Sequence, residues 1–125
     1  MSKVLRLAIS PCPNDTFMFD AMINHRIDTE GLQFEVDYLD IEQLNSAALE
    51  SKYDVSKCST ALLPAIYANY RLLDSGSALG RGNGPLLVRR RGFDGAMRDI
   101  VVPGLHTTAN LLTERLFPDI KTRTP

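Results

Sequence analysis

The chain is poor in the residues that build metal sites, disulfide frameworks and polyanion-binding surfaces. Its 125 residues include two cysteines, Cys12 and Cys58, and two histidines, His25 and His106. The two cysteines lie far apart in sequence, and no His/Cys spacing suggests zinc. Both thiols read as reduced, in a cytoplasmic protein. A surplus of one charge is also lacking: 14 Lys and Arg against 15 Asp and Glu leave a net charge of −1. Nothing in that balance argues for nucleic acid as the partner. The one basic run, Arg89-Arg90-Arg91, reads as a solvated strand end. No stretch approaches the ~18–20 apolar residues of a membrane span. The opening MSKVLRLAIS has too short an apolar stretch, and no small-residue cleavage site, for a signal peptide. Internal repeats and low-complexity tracts are absent.

What is present is ordinary for one soluble globular domain: 44% hydrophobic and 23% charged residues. Residues 4–9 (VLRLAI) predict a buried strand. The turn SPCPND follows, and residues 16–27 predict a helix buried on most sides, with Asn14 or Asp15 as its cap. Gly31 marks a hinge. Residues 32–39 (LQFEVDYL) alternate apolar and polar, a strand with Leu32, Phe34, Val36 and Tyr38 on one face. Asp40 caps a second helix over 41–52, with Ile41, Leu44, Ala48 and Leu49 facing inward. Residues 53–55 predict a short strand. Lys57-Cys58-Ser59-Thr60 is a turn into a helix over 61–70, with Pro64 tolerated in its first turn. Residues 71–74 and 85–90 predict further strands, with the glycine-rich SGSALGRGNG between them. After the breaker-rich RRGFDGAMRD comes a strand, DIVVP, from Asp99, then Gly104-Leu105-His106-Thr107-Thr108 and a helix over 109–117. Strand, turn and helix in repetition predict a largely parallel sheet.

Three of these turns share one design. Each follows a strand, opens a helix and carries small hydroxyl or amide residues: Ser10, Asn14, Asp15 and Thr16; Ser59 and Thr60; Thr107 and Thr108. In an open α/β sheet such turns gather at the carboxyl ends of the strands, where ligands bind. Helix N-termini there offer free N–H groups and partial positive charge to a carboxylate or phosphate. The same residues also serve as ordinary helix caps.

SPCPNDTFMF, ALGRGNGPLLV and VPGLHTTANLL strongly resemble the 1,4-dihydroxy-6-naphthoate synthases of the futalosine route to menaquinone. The resemblance runs from about residue 5 to residue 117. It implies a periplasmic solute-binding-protein-like (type 2) fold of two α/β lobes around a cleft. Residues 1–98 would be the first lobe and 99–125 the start of the second. The implied reaction is a carbon–carbon lyase step, in which cyclic dehypoxanthine futalosine gives 1,4-dihydroxy-6-naphthoate and a three-carbon sugar fragment. No metal or organic cofactor is implied, and no nucleic-acid or membrane partner. The substrate would be held by Lys57, Cys58 and Ser59 and by Thr107 and Thr108, with Ser10, Asn14, Asp15 and Thr16 lining the cleft. The family's general base is a histidine of the second lobe, at a position that falls beyond Pro125. Neither His25 nor His106 matches it. Three other readings stay open: a cytoplasmic binding protein for small carboxylates, an inactive fragment, and a thiol enzyme using Cys12 or Cys58.

Overall fold

In the computed structural model, which describes residues 3–125, the most deeply buried strand is the first. Strand β1 (Lys3–Ile9) ends in Leu7, Ala8 and Ile9, all three without solvent exposure. It lies between β2 (Leu32–Tyr38) and β3 (Val55–Ser56) in the order β2-β1-β3, and both pairings are parallel. Parallel neighbours need crossovers. The crossovers are α1 (Pro13–Ile23) and α2 (Ile41–Leu49). After β3, a 3-10 turn (Thr60–Leu62) leads directly into α3 (Leu63–Ile66). Leu62, Ile66 and Ala48 form a buried cluster, with Cys58, Leu63 and Tyr70 packed around it. A long irregular segment crosses the surface to β4 (Asp99–Val101). Helix α4 (Thr108–Leu116) and β5 (Thr122–Thr124) follow, and β4 and β5 pair in parallel.

The predicted α/β architecture with parallel strands is present. Asp40 caps α2 as expected: its Oδ1 accepts the Gln43 N–H at 2.8 Å, and Gln43 Oε1 accepts the Asp40 N–H at 3.0 Å. This reciprocal arrangement satisfies two backbone donors at the open end of the helix. Gly31 takes a left-handed turn, φ +82°, just before β2.

Several expectations are corrected. Helix α1 begins at Cys12, its N-cap, with Pro13 in the first turn, and no side chain caps it. Asp15 is instead turned back toward Ser10, so neither Asn14 nor Asp15 is the cap. Nor is α1 buried on most sides: Asp15 is its one fully buried residue and Phe17 is 87% exposed. No described element packs over that face. Leu49, expected inside, is exposed, because α2 turns Leu44, Ala47 and Ala48 to the core. The helix expected over 61–70 is only a 3-10 turn and four α residues. Residues 71–74 and 85–90 form no strand. A strand exists through its ladder, and among the described residues nothing pairs with either segment. The short strand β5 is not apparent in the sequence. It forms because β4 offers it a parallel edge.

Asp40→Ala removes the reciprocal cap. Urea unfolding should show a loss of about 1 kcal/mol with an unchanged m-value.

Candidate functional site

The carboxyl end of the sheet is where the turns diverge. Strand β1 stops at Ile9, and the next residues leave the sheet through Ser10-Pro11-Cys12. Strand β3 stops at Ser56, held beside β1 by the Lys57 N–H to the Ala8 carbonyl at 2.9 Å. The two turns therefore lie side by side. Thr108 approaches from α4, and its hydroxyl accepts the Ala61 N–H at 3.2 Å. Together they border a cleft of about 1350 Å³, closed on another side by the irregular chain around Arg71–Ala78. Of the nine residues expected to bind substrate, seven line this cleft: Ser10, Asn14, Asp15, Lys57, Cys58, Ser59 and Thr108.

The other two do not. Thr107 is buried and is the N-cap of α4; its hydroxyl donates to the Gly104 carbonyl at 2.7 Å and accepts the Asn110 N–H at 3.2 Å. Both capacities of the hydroxyl are used within the turn. Thr16 donates its hydroxyl to the Cys12 carbonyl at 3.1 Å, inside the first turn of α1. The glycine-rich 80–84 stretch also lies off the cleft wall. Pro125, the landmark past which the resemblance puts the general base, is exposed just after β5 and contributes nothing to the cleft. Neither His25 nor His106 lines the cleft.

The unusual SPCPND turn is explained by Asp15. This buried carboxylate accepts both the Ser10 N–H at 3.0 Å and the Ser10 hydroxyl at 2.8 Å through Oδ2. Its Oδ1 faces Lys57 Nζ at 3.8 Å. Lys57 in turn donates to the Gly76 carbonyl at 2.9 Å. A buried carboxylate is tolerable only with such donors around it. One side chain thus ties the first turn to itself, to the second turn and, through Lys57, to the opposite wall.

The two cysteines share the cleft but differ in character. Cys12 is exposed at the α1 N-terminus; the Ser10 hydroxyl, then the backbone N–H groups of Asp15 and Asn14, hold its thiol below the usual range. Burial pushes the Cys58 thiol up, with Lys57 opposing. His106 stands apart from the cleft: its Nδ1 lies 2.8 Å from Glu42 Oε1, and its N–H reaches Glu42 Oε2 at 3.3 Å. The ring anchors the α4 turn to α2.

Two contributors escape sequence reading. Asn45 bonds Ser59 twice from inside α2. Its signal is a polar residue on the inward stripe, one turn beyond Ile41. Glu42 reaches His106 across 64 residues, and nothing local in the sequence indicates that pairing.

An α/β unit with parallel strands, whose strand-end turns converge on one cleft, is the architecture of a small-molecule site. The chain belongs to the menaquinone-biosynthesis family, whose model matches residues 5–124. It is 42% identical over 113 residues to a 1,4-dihydroxy-6-naphthoate synthase of Thermus thermophilus, covering 88% of this chain and 40% of that protein. It is 43% identical over 112 residues to the enzyme of the same name from Streptomyces coelicolor, covering 89% and 39%. A crystal structure of an Archaeoglobus fulgidus protein superposes with TM-score 0.88 at 34% identity, over 98% of this chain and 46% of that one. The chain therefore spans about two fifths of the length of the curated relatives it matches.

The contrast between the thiols is measurable. Iodoacetamide followed by peptide mass spectrometry should label Cys12 faster than Cys58. The Cys12 rate should level off at lower pH, because its thiolate forms first as pH rises.

Proposed function

We propose that this chain supplies the substrate-gripping part of a 1,4-dihydroxy-6-naphthoate synthase acting in menaquinone biosynthesis in the cytoplasm. Residues 1–98 belong to a first lobe and 99–125 to the beginning of a second, in a periplasmic-binding-protein-like arrangement. The substrate is cyclic dehypoxanthine futalosine, and its cleavage is a carbon–carbon lyase reaction needing no metal or organic cofactor. The observation that carries this reading is the convergence of Ser10, Asp15, Lys57, Ser59 and Thr108 on one cleft, in a chain whose relatives bear that enzyme's name.

The cleft chemistry suits such a ligand. Lys57 offers a cation that Asp15 only partly engages at 3.8 Å. The Thr108 hydroxyl accepts from Ala61, which leaves its proton for a ligand oxygen. Thr107 supports that grip as a cap and makes no direct contact with ligand, since its hydroxyl is already used in both directions. The general base, by family resemblance, is a histidine of the second lobe at a position past Pro125. His106 is unsuited to the role because Glu42 holds its ring away from the cleft.

Titration calorimetry of the purified chain with cyclic dehypoxanthine futalosine tests the reading. Saturable binding is expected, and Thr108→Val should weaken it roughly tenfold, as the loss of one hydrogen bond to a charged group does. Absence of binding would reject the reading. The same mixture assayed for the naphthoate should give turnover about 10²–10⁴ below that of a two-lobed relative, the usual contribution of a general base. Turnover equal to the relative's would place the base among these residues.

A further inference from the structure

We infer that Asn45 is a positioning residue, which fixes the Ser59 hydroxyl as a hydrogen-bond donor aimed into the cleft. The inference rests on the substrate-binding reading above. Asn45 is completely buried, between Leu44 and Ala47 on the inward side of α2. An amide there is costly unless its polar atoms are paired. A leucine would fill such a place without that cost, so the amide needs a reason.

The geometry supplies one. The Ser59 backbone N–H lies 2.9 Å from the Asn45 carbonyl oxygen Oδ1. A backbone N–H can only donate, so this contact sets which end of the amide faces Ser59 N. The amide nitrogen Nδ2 is then left 3.0 Å from Ser59 Oγ. An amide nitrogen can only donate as well, so Oγ must accept. The hydroxyl proton therefore points elsewhere, and among the described residues no hydrogen bond carries it to a protein acceptor. Ser59 borders the cleft while only 9% exposed.

The same one-way logic holds at Thr108, whose oxygen accepts from the Ala61 N–H. Two hydroxyls on different elements thus present protons to one space. The ligand atom that suits them is an acceptor with two lone pairs, such as a carboxylate oxygen. Without Asn45 the Ser59 hydroxyl is free to rotate and to offer its lone pairs instead.

Asn45→Asp separates positioning from packing. The shape is kept, and one carboxylate oxygen still accepts the Ser59 N–H. The other oxygen cannot donate, so the Ser59 hydroxyl turns to donate to it and withdraws its proton from the cleft. Calorimetry with cyclic dehypoxanthine futalosine should show affinity down roughly tenfold in Asn45→Asp and equally in Ser59→Ala. The double variant should be no weaker than either single one, the signature of two residues acting through one bond. Melting temperature, read on each variant, separates this pattern from a general loss of fold. Should the buried carboxylate prevent folding, Asn45→Ala is compared with Ser59→Ala in the same way. Unchanged affinity in the Asn45 variant, or losses that add in the double variant, would overturn the inference while leaving the substrate reading intact. A wild-type chain that binds no substrate would reject both.

Discussion

Burial of the end of β1 is the constraint on which the rest depends. Leu7, Ala8 and Ile9 are fully buried, and Leu7 and Ala8 are flanked on both edges by parallel strands. Each flanking pairing is reached through a crossover, so all three strands point the same way and their carboxyl ends lie together. Chain leaving a buried strand end must turn at once. Those turns, one after β1 and one after β3, become adjacent walls of the cleft. A shift of β3 by one residue along β1 would move Lys57 away from Asp15 and Ser59 away from Asn45, because side chains alternate faces along a strand.

The turns themselves hold no regular ladder, and their rigidity comes from buried polar side chains. Asp15 takes two bonds from Ser10. Asn45 takes one bond from Ser59 and gives one back. Each of these groups costs free energy to desolvate and is retained with its partners in place. The result is a site built on fixed side chains around a mainly apolar floor of Leu44, Ala48 and Ile66.

The C-terminal unit is attached through few but specific contacts. The Glu42 carboxylate receives the His106 backbone N–H and faces its ring. Gly104 allows that approach: a Cβ there would run into the Glu42 side chain. The Ala61 N–H reaches Thr108 from the 3-10 turn. Val102 and Ile120 are buried, whereas Val101, Leu116 and Phe117 stay open to solvent.

Local signals in the sequence were enough for the strand–turn–helix order, the Asp40 cap, the tolerance of Pro64 and the three polar turns. Those features depend on neighbours within a few residues. The family resemblance was legible for the same reason, since SPCPNDTF and HTTA are contiguous. Tertiary structure alone decided which hydroxyls face the cleft. Thr107 and Thr108 are adjacent and chemically alike, yet α4 buries one as a cap and turns the other toward Ala61. Asp15 reads locally as a helix cap, but a lysine 42 positions along the chain and a serine across the turn compete for it more strongly. The alternating and apolar patterns of residues 71–74 and 85–90 suit strands, and no strand forms there because a ladder requires a partner that local sequence cannot supply. Asn45 read as one polar residue in a helix; its meaning lies in Ser59, brought beside it when β3 docks on β1.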